Sequence, residues 1–386
     1  MRILMAIDYY RPNVSGLTLY VEHLSEALVR RGHTVSVLTN RHAPELPAEG
    51  MENGVRIVRA PVLARVGKAL VAPGIVPRAL AELRRSDVLH LHSPAANAIP
   101  VSMLGAAFRV PIVITYHCDL QLPPSGGAGL VGMLARVSEG FALDRADRVI
   151  TYTEDYARNT GPLAERLEKV GWILPPVADP PRTGRNADEV RQRYGIRGGP
   201  VILFLGRFAE EKGLPLLLTA FASIRERFPR AVLLLAGARQ VPGETVWERV
   251  APLAADPDSG VLAPGIVPPA EIADLFAVSD ALALPSINAT ESFGLVQVEA
   301  MLSGVPVVAS NLPGVRQPVR LTGMGEIAQI GDAEDLARKL LAVLMSPAKY
   351  RRDAAEIRAI FPPQKTLDFY EGLYRAVAGH PPSPSQ

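Results

Sequence analysis

Apolar residues recur along the chain in two alternating rhythms. Short, nearly continuous apolar runs occur at 2–7 (RILMAI), 34–39 (TVSVLT), 55–58, 88–92, 111–116 and 148–152, with a last one near 169–174. The same rhythm restarts at 201–206 (VILFLG) and continues at 231–236, 280–284 and 305–309. Between the runs, apolar positions fall at helical spacing. Leu17, Val21, Leu24 and Leu28 lie on one face of a helix, and Gly32 follows where a left-handed residue can close it. The segment 2–39 therefore reads as strand, helix, strand, which requires parallel strands and a covering helix. Strands that are apolar on both faces, alternating with helices, predict an α/β fold of doubly wound layers.

A chain of 386 residues exceeds one ordinary core, so two domains are expected. The stretch 175–199, which opens with PPVADPPRTGRN and is rich in Pro, Gly, Arg and Asp, is the best boundary. It separates a domain at 1–178 from one at 182–360, and a short helix is expected around 188–194. A terminal helix over 364–378 carries Leu367, Tyr370 and Tyr374 on one face, and the polar, Pro-rich tail from Gly379 is expected to fray. The expected architecture is two doubly wound Rossmann-like domains facing across a cleft. Ligands on such sheets bind outside the carboxyl ends of strands, so residues just past strands hold the candidate chemistry.

Charge narrows the choice of partner. The net charge is only +2 and neither half is strongly basic, which disfavours nucleic acid. Contact with a membrane surface through a local basic patch stays open. Cys118 is the only cysteine, which excludes a disulfide framework and a cysteine-based metal site. The first apolar run ends at Asp8, too early for a signal-peptide core and far short of the ~20 residues of a membrane helix, so a cytoplasmic location is expected. The chain has 35 Arg but 6 Lys, which makes the placement of any lysine informative.

Four segments carry candidate chemistry. In PSINATESFGLVQVEAMLSGVPVVAS (285–310), a strand ends near Leu284 and a helix is expected to begin near Phe293-Gly294. Backbone N–H groups from Ser292 and Phe293 through Gly294, Leu295 and Val296 would form an anion site suited to phosphate. Glu291 precedes the helix, and Glu299, expected about two turns into it, could accept hydrogen bonds from the vicinal hydroxyls of a ribose. The plainer alternative makes Glu291 a helix-start acid and Glu299 a solvated surface residue. In FLGRFAEEKGLPLLLTAF (204–221), Arg207 and Lys212 follow a strand and could neutralise a pyrophosphate. Alternatively they pair with Glu210 and Glu211 on the surface. In the first strand-to-helix turn, Gly16 permits close approach of backbone to ligand. In TYHCDL (115–120), His117 and Asp119 are expected to project from a strand end, with Cys118 a packed side chain. His90 and His92 alternate on a strand and are read as facing opposite sides, against a shared metal site, with His92 nearer the acceptor side. The sequon Asn288-Ala289-Thr290 reads as accidental.

Over 285–310 the sequence resembles the retaining nucleotide-sugar glycosyltransferases of family 4, which share the GT-B fold. Their Glu-x7-Glu motif matches Glu291 to Glu299, and the likeness runs on through EAMLSGVPVVAS. The resemblance implies that Arg207 and Lys212 bind the donor diphosphate and that His117 acts by hydrogen bonding near the donor sugar. It assigns the ribose to Glu299, the transferred sugar to Glu291, and the acceptor to the region of His117 and Gly16, with His92 and Asp119 on that side. The resemblance also makes Gly16 a donor-binding residue, in a loop that approaches the donor phosphates, where family members have two adjacent glycines and this chain has Ser15-Gly16. The last helix, within 361–380, is expected to cross back to the first domain.

The implied activity is retaining transfer of a hexose from a UDP- or GDP-sugar to a lipid, glycan or small-molecule acceptor. No cofactor beyond the donor substrate is expected. No Asp-x-Asp metal motif is identified, so metal independence is expected as well. An epimerase or hydrolase of the same fold, or a non-catalytic sugar-nucleotide binder, are the alternatives. A dehydrogenase is disfavoured because no G-x-G-x-x-G follows a strand that opens a helix.

Overall fold

The computed structural model describes residues 1–13, 15–66, 69–119, 128–241 and 243–379. Val14 of the first loop, Leu120 of TYHCDL and the tail from residue 380 lie outside them. The chain divides into two units, Met1–Pro176 with Pro363–Gln386, and Val177–Pro362.

The first unit is built on ten strands: β1 Arg2–Ala6, β2 Thr34–Arg41, β3 Glu49–Glu52, β4 Val55–Pro61, β5 Ala64–Val66, β6 Ala69–Val71, β7 Val88–Ser93, β8 Ile112–Tyr116, β9 Arg148–Thr151 and β10 Val170–Trp172. Eight of them form one sheet in the order β10-β9-β8-β7-β1-β2-β4-β3, parallel except for the β3 edge, while β5 and β6 pair as a separate antiparallel ribbon. Leu4, Leu38, Leu89, Leu91, Ile112 and Ile114 bury one face of the sheet in a common core. The alternate residues Ile3, Met5, Val35 and Val37 are buried too, as strands covered on both faces require. The short edge and ribbon strands were not expected from the sequence; EGME and its neighbours have too little apolar character to stand out.

The second unit holds six all-parallel strands: β11 Val201–Leu205, β12 Val232–Ala236, β13 Val261–Gly265, β14 Ala281–Leu284, β15 Val307–Ser310 and β16 Gly325–Ala328. Their order is β13-β12-β11-β14-β15-β16. Ile202, Phe204, Leu233, Leu235, Ala281 and Ala283 pack against the helices Leu214–Arg227 and Ala333–Met345. The winding reverses once in each sheet, between β1 and β7 in the first and between β11 and β14 in the second. Those two crevices are where doubly wound sheets place ligands. Among the described residues no helix is long and apolar enough to cross a membrane.

The last helix, Pro363–Val377, belongs to the first unit and buries Thr366, Leu367, Tyr370, Glu371 and Tyr374 there. Its attachment is polar as well as apolar. The Tyr20 hydroxyl donates to the Tyr370 hydroxyl at 2.9 Å, Tyr370 shares a 2.7 Å hydrogen bond with Thr115 Oγ1, and Tyr374 meets His90 Nδ1 at 2.7 Å. Such groups cost little when satisfied and a great deal when one partner is lost. Tyr370→Phe leaves the buried Tyr20 hydroxyl without its acceptor. Urea unfolding is expected to show a stability loss of about 1–3 kcal/mol, and a loss under about 0.5 kcal/mol would show the network to be dispensable.

Candidate active site

In the second unit, β11 ends at Leu205 and the chain turns through Gly206 to Arg207. A single 3-10 turn, Glu210–Lys212, then leads into the helix Leu214–Arg227. Gly213 joins them at φ 68°, and a Cβ there would stand 2.0 Å from the carbonyl oxygen of Pro285. Only glycine lets this loop lie so close against the loop that leaves β14. The Ile287 N–H donates to the Glu211 carbonyl at 3.0 Å and ties the two loops together.

That contact brings Lys212 to Glu291. Lys212 Nζ lies 2.6 Å from Glu291 Oε2, with the two side chains only 18% and 16% exposed. Arg207 pairs with Glu211 at 3.0 Å and is far more open to solvent. Of the two surface pairs the sequence allowed, the Arg207–Glu211 pair forms, whereas Lys212 reaches across to the Glu-x7-Glu segment. Glu210 instead faces Arg249.

The helix after β14 runs from Leu295 to Leu302. Its N-cap, Gly294, sits at φ 77° and offers no side-chain hydrogen bond to the helix start. The Phe293 ring is buried against Phe361, so only its backbone can serve a ligand, and Ser292 is buried beside it. Because the helix begins at Leu295, Glu299 stands little more than one turn inside it rather than two. It is half-buried rather than a solvated surface acid, and burial pushes its carboxyl up to about 7. Gln297 was missed in the sequence. Its amide donates to the Phe293 carbonyl at 2.6 Å and the Val315 carbonyl at 2.9 Å, pinning the loop in front of the helix. A polar residue in the first turn of an otherwise apolar helix is the signal that would have found it.

The expected first-unit residues are placed differently. Gly16 opens the helix Gly16–Arg30, and Ser15 caps it by accepting the Thr18 N–H at 3.1 Å, which gives the serine in the first loop a local structural reason. Asp119 is half-buried, with its N–H on the Tyr156 hydroxyl at 2.8 Å. His117 does follow β8, but its ring turns inward and is 3% exposed. Its Nε2 shares a 2.9 Å hydrogen bond with His92 Nδ1, and its Nδ1 is bonded to the Tyr152 hydroxyl. His92 is fully buried too, so neither imidazole projects into a crevice.

Two further expectations need correction. His90 and His92 lie on the same side of β7, with ring centroids 4.1 Å apart, because residues two apart on a strand share a face. Burial lowers the pKa of His90 and of His117 to about 3 and that of His92 as well, so all three rings are neutral at neutral pH. The chain also does contain an Asp-x-Asp triplet, Asp256-Pro257-Asp258. It forms a turn before β13, at the amino end of the sheet, where the Asp258 N–H donates to the Asp256 carboxylate at 2.9 Å. Among the described residues no group of three or more His, Cys, Asp or Glu is placed to hold a metal ion.

Residues 15–168 match the glycosyl transferase 4-like domain, and residues 186–358 match the glycosyl transferases group 1 family. The chain belongs to glycosyltransferase family 4. This transferase is 29% identical over 370 residues to the phosphatidyl-myo-inositol mannosyltransferase of Mycobacterium leprae, covering 92% of this chain and 90% of the relative. It is also 29% identical over 372 residues to the 2-deoxystreptamine glucosyltransferase of Streptomyces kanamyceticus, covering 89% and 92%. In structure it is similar to sucrose-phosphate synthase from Thermosynechococcus elongatus, with a TM-score of 0.76 at 21% identity over 98% of this chain and 99% of that one. The transferase has the GT-B fold.

The contact at Gly213 can be tested by itself. Gly213→Ala sets a side chain against the Pro285 carbonyl at a positive φ, and denaturant unfolding of the transferase is expected to show a loss of about 2 kcal/mol or more. A neutral substitution would mean that the two loops are not held in contact.

Proposed function

We propose that this is a cytoplasmic, retaining hexosyltransferase that moves a hexose from a UDP- or GDP-sugar to a ring polyol, without a metal or other cofactor. The observation that carries the proposal is the Lys212–Glu291 pair at the crevice where the second sheet reverses, with Arg207 and the uncapped helix start beside it. Arg207, Lys212 and the backbone from Ser292 to Val296 hold the donor diphosphate. Glu299 accepts hydrogen bonds from the ribose hydroxyls, and Glu291 accepts from hydroxyls of the transferred sugar.

In the donor-free site Glu291 is the counter-ion of Lys212. An incoming diphosphate takes the lysine over and leaves the carboxylate to the sugar. The site thus stabilises the departing diphosphate as an oxocarbenium-like sugar forms, and the leaving phosphate helps to deprotonate the acceptor on the same face. The buried His117 has a positioning part, because its ring and its N–H tie the ends of β7 and β8 together.

The acceptor reading is supported by two relatives. One is named for phosphatidyl-myo-inositol and the other for 2-deoxystreptamine. Both acceptors carry a six-membered carbon ring bearing hydroxyls, which supports a cyclitol, free or lipid-linked, as the acceptor here. A lipid-linked ring would bring the enzyme to the membrane surface.

Thermal shift with UDP, GDP, ADP and their common sugar conjugates tests the donor site. One nucleotide is expected to raise Tm selectively, and Arg207→Ala is expected to weaken it about tenfold or more, or ~1.4 kcal/mol. No shift with any nucleotide would overturn the reading. Assays with and without acceptor separate transfer from hydrolysis or epimerisation.

The pH dependence gives a second test. Glu299 holds a proton below about 7 in the empty site, while ribose hydroxyls need the ionised acceptor. Nucleotide affinity is therefore expected to fall below pH 7, by up to about tenfold per pH unit, relative to Glu299→Gln measured in parallel. Parallel pH profiles for the two proteins would remove Glu299 from the ribose site.

A further inference from the structure

At the crevice where the first sheet reverses, outside the carboxyl ends of β1 and β7, lies an ionisable group that the donor chemistry does not use. Asp8 lies two residues past β1. Its Oδ2 accepts the Ala96 N–H, just past β7, at 2.7 Å. Its Oδ1 has two long contacts, from Asn97 Nδ2 at 3.3 Å and Asn40 Nδ2 at 3.5 Å, and the Asn97 backbone N–H also faces the carboxylate. Asn40 stands at the end of β2, and its amide oxygen accepts from Asn97 at 3.2 Å.

Three strand exits thus converge on one carboxylate. Among the described residues no cation pairs with it, although other acids at strand ends, such as Asp87 beside Arg2, have one. A carboxylate surrounded only by neutral donors is costly, and burial pushes Asp8 up to about 6. It keeps a partly exposed edge beside the exposed Ala96. A carboxylate accepts about four hydrogen bonds, and Oδ1 has no short one here. Donors without a fixed negative charge, brought to about 2.7–2.9 Å, would replace these long contacts on one oxygen beside its amide neighbours.

We propose that Asp8, with Asn40 and Asn97, forms the subsite that binds ring hydroxyls of the acceptor. Adjacent hydroxyls donate to Asp8 Oδ1, and the two amides serve the next ring position. The subsite rests on the cyclitol reading above and places that ring in the first unit's crevice. A neutral polyol binds through its hydroxyls, and an aminocyclitol adds an ammonium that pairs with the same carboxylate.

The test is saturation-transfer NMR on the full-length protein with myo-inositol and, separately, 2-deoxystreptamine. At least one of the two is expected to bind the wild type. Asp8→Asn is expected to weaken it about tenfold or more, and Asn97→Ala by roughly three- to tenfold. The nucleotide thermal shift is expected to stay unchanged in both variants. Should Asp8→Asn melt well below the wild type, Asn97→Ala carries the test by itself, because it leaves the Ala96–Asp8 bond in place. Binding of neither ring to the wild type, or wild-type binding by the variants, would overturn the subsite. Failure of the donor reading would show separately, as loss of every nucleotide shift in a protein that still binds the ring.

Discussion

A parallel sheet covered on both faces has no place for working side chains along its strands. Groups that meet a ligand therefore gather at or just past the strand ends, and the connecting helices then carry the chain away from the sheet, except where the winding reverses. That constraint organises both units of this transferase. In the second, it sets Arg207 and Lys212 past β11 and Glu291 past β14, and the bare backbone at Gly213 lets the two exits touch. In the first, it gathers Asp8, Asn40 and Asn97 from three separate exits.

The two crevices differ in electrostatic character. The second-unit crevice offers two cations and a helix start, with carboxylates as internal counter-ions. In the first-unit crevice the Asp8 carboxylate is held by the neutral amides of Asn40 and Asn97 and the Ala96 N–H.

Much of this was legible in the sequence, and the limits have physical causes. Central strands such as 201–205 and 112–116 show as apolar runs because both faces are buried. The edge strands Glu49–Glu52 and Gly325–Ala328 do not, because an edge tolerates polar residues, and Val261–Gly265 is disguised by Pro264 and its terminal glycine. Arg207, Lys212, Glu291 and Glu299 stood out by spacing, but the partner of Lys212 lies 79 residues away and no local pattern points to it. His117 was correctly placed at a strand end, yet its ring direction depends on His92 of β7 and on Tyr152, just past β9. His90 and His92 needed only the period of two to be put on one side. Asp8 carried no motif; its surroundings exist only once three strand ends have met.

The helix Pro363–Val377 has a consequence for how the protein is made. The first unit is assembled from residues before the second unit and from this helix, which is synthesised after the whole of the second unit. Until then Tyr20 and His90 lack the hydroxyls of Tyr370 and Tyr374, and His33 lacks Glu371. The second unit, uninterrupted in sequence, has all its own residues earlier. A polypeptide released before this helix would hold one complete sheet unit and one with unfilled buried polar positions, a mark by which cellular proteolysis can tell unfinished copies from finished ones.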